Sequence, residues 1–275
     1  MSRALAVFHG RFGRATVYRL NRPFNTHAHR EGHLIFQVGG APARIRVGEE
    51  TGLLDEAVVI AVNPWEPHNF LPTDVDDGAF FFVLYVNAEW FAPPGFSGRR
   101  LSFGRTRIPR TPPIARHVDR AAALVCGEPS PTRLDTELRE LIAACHEESW
   151  AEAGAIRVET QLTDFRVRKS IKLISETGGA DTALDEIARQ SGLSRPHFYK
   201  LFREQTGVTP NLYLNTLLME KALDCVVTSE SPMADIASEL GFSCQSVFTR
   251  FFAGNVGMAP TEYRRAAKVL RACGV

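Results

Sequence analysis

The order of apolar and polar residues divides the chain into a strand-rich first part and a helical second part. Up to about residue 95, short runs of β-branched and aromatic residues alternate with Gly, Pro, Asn and Asp, which is typical of strands joined by turns. We predict strands over residues 15–20, 33–38, 44–47, 58–62 and 80–87. Short, closely spaced strands of this kind favour a sandwich or a barrel.

Apolar residues then recur at helical spacing, which predicts helices over residues 114–126, 134–151 and 166–177. The second of these helices carries a continuous apolar stripe. Its members are Leu134, Leu138, Leu141, Ile142 and Cys145. Such a stripe is either a packing face inside the monomer or a contact surface between two copies.

One pattern occurs twice near the C-terminus, at an offset of 50 residues. The first copy is Phe198, Phe202, Gly207, Pro210 and Tyr213, and the second is Phe248, Phe252, Gly257, Pro260 and Tyr263. A short helical pattern that ends in glycine, Gly192 or Gly241, precedes each copy. A helix, a glycine-containing turn and a second helix form a helix-turn-helix unit. Two units predict a protein that reads two adjacent segments of a DNA major groove.

These ordered motifs, over about residues 165–267, resemble the DNA-binding domain of the AraC/XylS-type transcription regulators. The resemblance implies a multi-domain α+β chain. An N-terminal cupin-like β-barrel (a jelly roll) with following helices precedes a C-terminal all-α domain with two helix-turn-helix motifs. It also implies a cytoplasmic, sequence-specific regulator that is not an enzyme. Its expected partners are double-stranded DNA, a small-molecule effector, a second copy of the chain and, if it is an activator, RNA polymerase.

The exposed faces of the two recognition helices are the expected DNA-binding surface. Ser194 and Ser243 are the predicted N-caps of these helices. Base reading requires donors and acceptors in fixed pairs, such as Arg or Lys on guanine and Gln on adenine. The predicted DNA-binding residues are Arg195, Pro196, Tyr199, Lys200, Arg203, Gln245, Ser246, Thr249 and Arg250. Arg203 and Arg264 are the candidates for phosphate contacts.

The first part of the chain contains histidines in a pattern that resembles the cupin motifs. His27, His29 and His33 lie close together, and His68 follows in a second motif. We expect the effector pocket to be lined by His27, His29, Phe36, Trp65, His68 and Phe82. We expect no metal or other cofactor; if a metal binds, its ligands would be His27, His29 and His68. The aromatic residues are equally compatible with a plain barrel core.

The overall composition adds limits rather than a function. The 275 residues indicate about two domains. We predict a cupin-like sensor barrel over residues 1–110, a helical segment that is a candidate for dimerisation over 111–153, a linker over 154–163 and the DNA-binding domain over 164–275. No apolar run approaches a membrane span, and five scattered cysteines indicate a reducing compartment. From residue 165 onward there are 14 Lys/Arg against 11 Asp/Glu, a small basic surplus for a nucleic-acid binder.

The residues leave two other functions open. One is a metal-dependent cupin enzyme, or a metal sensor, joined to a DNA-binding domain. The other is a regulator without a ligand, whose N-terminal pocket would be filled by its own side chains.

Overall fold

A computed structural model describes residues 2–73, 78–91, 101–127, 130–151 and 162–269 of the chain. The predicted linker at 154–163 lies mostly outside these residues, as does Cys273. Two antiparallel sheets form the first part of the protein. Their strands, in chain order, are β1 (Arg3–Gly10), β2 (Gly13–Leu20), β3 (Gly32–Gly40), β4 (Ala43–Val47), β5 (Glu50–Leu54), β6 (Val58–Val62), β7 (His68–Pro72), β8 (Ala79–Val86) and β9 (Arg107–Pro109).

The larger sheet has the order β1-β2-β8-β3-β6-β9, and the smaller sheet has the order β5-β4-β7. Side chains from both sheets share one core, with Ile45 and Phe70 of the small sheet packed among Tyr18, Ile35 and Val83 of the large one. The faces of the two sheets therefore pack together. This confirms the predicted β-barrel domain, and all five strands predicted from sequence are present within one or two residues.

Helices cover the outer face of the large sheet. A short helix α1 (Ala88–Phe91) precedes α2 (Pro112–Cys126) and α3 (Pro131–Trp150). The apolar stripe of α3 is fully buried in a core that includes Val118 of α2 and Leu34 of β3. The stripe is thus a packing face inside the monomer, and it is not available as a surface for a second copy.

The C-terminal domain consists of seven helices among the described residues, followed by one strand. They are α4 (Phe165–Thr177), α5 (Leu184–Gln190), α6 (Arg195–Thr206), α7 (Pro210–Thr228), α8 (Met233–Glu239), α9 (Gln245–Val256), α10 (Pro260–Ala266) and β10 (Ala267–Val269). The Asp164 side chain caps α4 by accepting from the Arg166 N–H at 2.9 Å. We predicted an all-α domain, but β10 pairs in parallel with β1 at the edge of the large sheet. The free hydrogen-bonding groups of that edge make the pairing possible.

No helix within the described residues combines the length and the apolar character needed to cross a lipid bilayer.

Candidate DNA interface and histidine cluster

The two helix-turn-helix units repeat their internal contacts as well as their sequence. In the first, the Leu193 N–H donates to Ala188 O at 2.9 Å; in the second, the Phe242 N–H donates to Ala237 O at 2.9 Å. The turn glycines, Gly192 and Gly241, have φ of +72° and +80°, a left-handed conformation that favours glycine. The sequence repeat is therefore a repeat of the turn that joins α5 to α6 and α8 to α9.

The repeated aromatic residues form equivalent cores under the recognition helices α6 and α9. Phe198 and Phe202 are fully buried in the first unit, as are Phe248 and Phe252 in the second. Phe202 meets Tyr213 with ring centroids 5.4 Å apart, and the corresponding pair, Phe252 and Tyr263, is 5.6 Å apart. Because these rings occupy one face of each helix, the other face is left for a partner.

The outer face of α6 carries the residues predicted from sequence. Arg195, Pro196, Lys200 and Arg203 are exposed, and Tyr199 is half-buried. Arg195 forms an ion pair with Asp185 at 3.0 Å, and the Tyr199 hydroxyl donates to Asn211 Oδ1 at 3.2 Å. These contacts orient the Arg195 and Tyr199 side chains on the outer face of α6 before any partner binds.

The outer face of α9 is equivalent. Gln245, Ser246 and Arg250 are exposed and Thr249 is partly exposed. Among the described residues, Gln245 and Arg250 have no side-chain hydrogen bond or ion pair, so their donors are free. Arg250 lies 50 residues after Lys200 and occupies the same position in its helix.

The structure corrects two details of the sequence interpretation. The second recognition helix begins at Gln245, so its N-cap is Cys244 rather than Ser243. Arg264 is not free for phosphate, because its guanidinium donates to Val226 O and Ser231 O at 2.9 Å each. The apolar residue Val247 of α9 is also 38% exposed.

Val247 and its equivalent His197 are surface residues that sequence reasoning missed. Both are exposed beside the predicted contacts, on α9 and α6 respectively. The 50-residue offset could have revealed them, since a polar residue at 197 indicates that position 247 also faces outward. An apolar side chain at this position suits a thymine methyl group.

Four histidines meet inside the barrel. The ring centroids of His27 and His68 are 4.2 Å apart, those of His33 and His68 are 4.6 Å apart, and those of His27 and His29 are 5.0 Å apart. His27 Nδ1 lies 2.8 Å from Asn25 O, and His68 Nδ1 lies 2.9 Å from Glu66 O. The His29 Nε2 atom is buried without a hydrogen-bond partner. One ligand nitrogen each of His27, His29 and His68 lies within 4.8 Å of the other two.

Burial keeps these imidazoles neutral. It lowers the pKa of His27 to about 4 and the pKa of His33 to about 3, with a smaller contribution from neighbouring positive charges. Burial likewise lowers the pKa of His29 and of His68 well below the usual range. At neutral pH the cluster therefore presents uncharged nitrogen ligands.

The residues predicted for the effector pocket do not line one cavity. His27 and His68 line a cavity of about 40 Å³ inside the barrel, and the three predicted aromatic residues lie elsewhere. Phe36 and Phe82 are on the opposite face of the large sheet, in the core under α2 and α3. Trp65 stacks flat on Tyr213 of the C-terminal domain, with centroids 4.3 Å apart. Trp65 also borders a cleft of about 690 Å³ between the two domains.

The wall of this cleft combines charged and apolar groups. Arg14, Glu31 and Trp65 come from the barrel, and Glu220 and Asp224 come from α7. Arg14 is only 8% exposed and its guanidinium lies 3.7 Å above the Tyr85 ring. Its Nε is buried without a hydrogen-bond partner. A buried cation with an unsatisfied N–H is costly, so Arg14 favours contact with a ligand group that accepts a hydrogen bond, whereas the carboxylates of the wall repel an anion.

Comparison with known proteins concerns mainly the C-terminal domain. Residues 187–266 match the family described as a helix-turn-helix domain. LumQ of Photobacterium leiognathi, a probable transcriptional regulator, is 33% identical over 79 residues, 29% of this chain and 32% of LumQ. RclR of Escherichia coli K12, an RCS-specific HTH-type transcriptional activator, is 24% identical over 192 residues, 70% of this chain and 65% of RclR. The chain spans 32% to 46% of the length of the first curated relatives that it matches.

A solved structure matches both domains. Wild-type ToxT of Vibrio cholerae, crystallised with an unsaturated fatty acid, aligns with a TM-score of 0.60 at 14% identity. The alignment covers 91% of this chain and 94% of ToxT. A likeness at this identity shows that the fold is shared.

Proposed function

We propose that the whole chain is a sequence-specific, effector-responsive transcription regulator. The proposal starts from the C-terminal domain, which is a helix-turn-helix domain of the AraC/XylS family of transcription regulators. One observation carries the proposal. The two units bury equivalent aromatic cores and leave equivalent polar faces, on which Lys200 and Arg250 hold the same position. A regulator, rather than an enzyme, is the function that this arrangement supports.

In the proposed complex, α6 and α9 enter successive segments of the major groove. Helix α7 separates them, and we expect the segments to be about one turn apart, near 34 Å. Lys200 and Arg250 would donate to guanine, Gln245 would pair with adenine, and Arg203 would contact phosphate. We also propose a homodimer and, since RclR is described as an activator, contact with RNA polymerase during activation.

Selection from random DNA sequences, followed by fluorescence anisotropy at one fixed salt concentration, tests the reading faces. Arg250→Ala and Lys200→Ala should each weaken binding to the selected site by about 1–3 kcal/mol and relax one base preference. Arg116→Ala, which changes an exposed arginine on α2, is the matched control and should bind as the wild type does. An equal loss on all sequences would indicate a phosphate contact. Unchanged affinity in both variants would mean that these faces do not read DNA.

We propose that the effector binds the barrel domain on the wall that faces the C-terminal domain. The size of the interdomain cleft, about 690 Å³, supports this choice, because organic ligands usually occupy about 300–1,000 Å³. The small interior cavity, about 40 Å³, has room for a water molecule or an ion. A ligand in the cleft contacts both domains, so it can favour one of their arrangements over another.

ToxT bound to an unsaturated fatty acid supplies the first probe, oleic acid. If the effector belongs to this class, oleic acid will raise the melting temperature and change the DNA affinity of the wild type, and Arg14→Gln will reduce both effects. A broader set of organic acids and neutral metabolites follows in the same assay. Stabilisation by a ligand without any change in DNA affinity would contradict an effector role for that ligand.

A further inference from the structure

Residues 24–30, here called the coupling segment, join the histidine cluster to the C-terminal domain. His27 and His29 belong to the cluster inside the barrel. Their neighbours contact the other domain: the Asn25 N–H donates to Gly254 O of α9 at 2.9 Å, and the Thr216 hydroxyl of α7 donates to Ala28 O at 3.3 Å. The Arg30 N–H donates to the Glu220 carboxylate at 3.2 Å. One stretch of backbone therefore holds both the histidines and the domain contact.

The contact between the coupling segment and α9 is close. A Cβ atom placed on Gly257, the residue that follows α9, would overlap the Phe24 ring. Phe24 also borders the cavity that His27 and His68 line, so one ring touches the interior of the barrel and the end of the recognition helix. A small movement of the segment must be transmitted to α9, because packed groups of this kind cannot be compressed.

Three histidines of the cluster are prepared as ligands. A ring that donates from Nδ1 to a backbone carbonyl keeps the lone pair of Nε2 free, and metal-bound histidines commonly have such a carbonyl partner. His27 and His68 both have it, and the buried Nε2 of His29 has no partner. Nitrogen ligands about 2 Å from a zinc ion lie about 3.4 Å apart. The ligand nitrogens of the three histidines lie within 4.8 Å of one another, so each pair needs to approach by at most about 1.4 Å.

We propose that His27, His29 and His68 bind one divalent transition-metal ion, and that binding is coupled to DNA affinity through the coupling segment. Three neutral imidazoles select a metal of the Zn²⁺, Fe²⁺ or Ni²⁺ class over Mg²⁺ or Ca²⁺. They leave a fourth position for water. The proposal extends the proposed function and rests on it, since it adds a metal input to a regulator of transcription.

Coupling follows from the arrangement of the segment. Ligation of both His27 and His29 fixes two points of a seven-residue stretch whose other residues hold α7 and α9. The metal-bound protein then has a narrower range of domain arrangements than the metal-free protein. Since linkage is reciprocal, DNA must change metal affinity by the same factor as the metal changes DNA affinity.

The metal site is tested on the full-length chain, prepared without an affinity tag and treated with EDTA. Titration with ZnCl₂ against a chromophoric chelator should give one tight site per chain. His27→Ala and His68→Gln should each weaken it at least tenfold. His117→Ala is the matched control, because His117 lies with Glu137 and Glu140 in a separate group on α2 and α3, and it should leave the tight site unchanged. A wild type that binds no zinc tightly, or a tight site lost only in His117→Ala, would overturn the assignment.

A second measurement needs no variant and so does not depend on how variants fold. Co²⁺ should bind the wild type with visible absorption bands of a nitrogen-ligated, low-coordinate site. Zinc should displace it at one equivalent. An absorption spectrum identical to that of cobalt in buffer would count against the site.

The coupling is tested by DNA anisotropy with and without saturating ZnCl₂. Zinc should change the affinity of the wild type about fivefold or more, a typical size for allosteric coupling. Phe24→Ala should still bind zinc but show a change below twofold. Zinc binding with unchanged DNA affinity would overturn the coupling. Absence of DNA binding in both the metal-free and the zinc-loaded protein would instead contradict the proposed function, which the zinc titration does not involve.

Discussion

Gly192 and Gly241 occupy equivalent turns but have different surroundings. Both have positive φ, which an L-residue adopts at a cost. A Cβ on Gly192 would meet nothing within 4 Å. A Cβ on Gly241 would lie 2.5 Å from Asp181 Oδ1 and 3.1 Å from the Ala180 backbone nitrogen. Glycine is therefore favoured in the first unit by the backbone conformation alone. In the second unit it is favoured by the backbone conformation and also by the lack of space for a side chain.

This difference predicts unequal effects of one substitution. Gly192→Ala should lower the free energy of unfolding by about 1 kcal/mol, through backbone strain alone. Gly241→Ala should lower it by about 2–3 kcal/mol, because the backbone near Ala180 must also move. Urea unfolding of the two variants measures the difference. Equal losses would show that the Gly241 turn can relax without cost.

The residues of the barrel interior show where sequence reasoning reaches its limit. The strand positions were predictable from β-branched and aromatic runs, but the face of each residue was not. Both faces of the large sheet are buried, one under the small sheet and the other under α2 and α3. The alternation that would separate Phe36 from Ile35 is therefore missing, because both faces require apolar residues. The histidines were found because their residue type is unusual in a core and because the spacing of His27, His29 and His68 resembles the cupin motifs.

Helix α3 shows how an element can be predicted while its partner remains open. Its period of apolar residues predicted both the helix and its buried stripe. A period cannot distinguish packing on the same chain from packing on a second copy, since both remove the same area from water. The structure assigns the stripe to the barrel sheet and α2. The recognition helices were predictable for a further reason. The 50-residue repeat aligns the two helices, so buried and exposed positions identified in one helix apply to the other.

Leu138 lies in this stripe and therefore stabilises the folded monomer. Leu138→Ala should lower the free energy of unfolding by about 2–5 kcal/mol, the usual effect of a buried cavity. The loss should be independent of protein concentration. Glu147→Ala, an exposed change on the same helix, is the control and should have little effect. A loss that grows on dilution would indicate that the stripe also stabilises a dimer. Chemical unfolding at several concentrations makes the measurement.

At the scale of the whole molecule, both repeat tyrosines join the C-terminal domain to the barrel. Tyr213 stacks on Trp65, and the Tyr263 hydroxyl lies 3.1 Å from His9 Nε2 and 3.5 Å from Arg14. Residues that complete the core of each helix-turn-helix unit are thus also residues of the domain interface. Sequence could predict the cores from the repeat, but the interface depends on positions more than 100 residues apart, which no local pattern records.

This interface predicts a pH dependence. Burial, together with the charge of Arg14, lowers the pKa of His9 to about 3, against 6.5 in an unfolded chain. Between these values the unfolded chain binds a proton that the folded chain does not. His9 therefore does not lower the free energy of unfolding above pH 6.5, and it lowers that free energy progressively as the pH falls from 6.5 towards 3. The groups facing His9 are Arg14 on β2 and Tyr263 on α10.

His9→Gln removes the titration and keeps a side chain that can form hydrogen bonds. Between pH 6.5 and 5 the wild type should lose on the order of 1 kcal/mol more unfolding free energy than the variant. His197→Gln, a change at an exposed position of α6, is the control and should follow the wild type. Unfolding curves at fixed temperature and several pH values supply the comparison. Parallel pH profiles for wild type and His9→Gln would contradict the prediction.

The strand that follows α10 has a mechanical consequence. The C-terminal domain is held to the barrel by the pairing of β10 with β1, in addition to the contacts of Tyr213 and Tyr263. Because α10 runs directly into β10, the end of α10 can leave the barrel only if the pairing of Ala267, Lys268 and Val269 with β1 is broken. An arrangement of the two domains that keeps the pairing therefore leaves the end of α10 in place, whereas an arrangement that loses it exposes the hydrogen-bonding edge of β1.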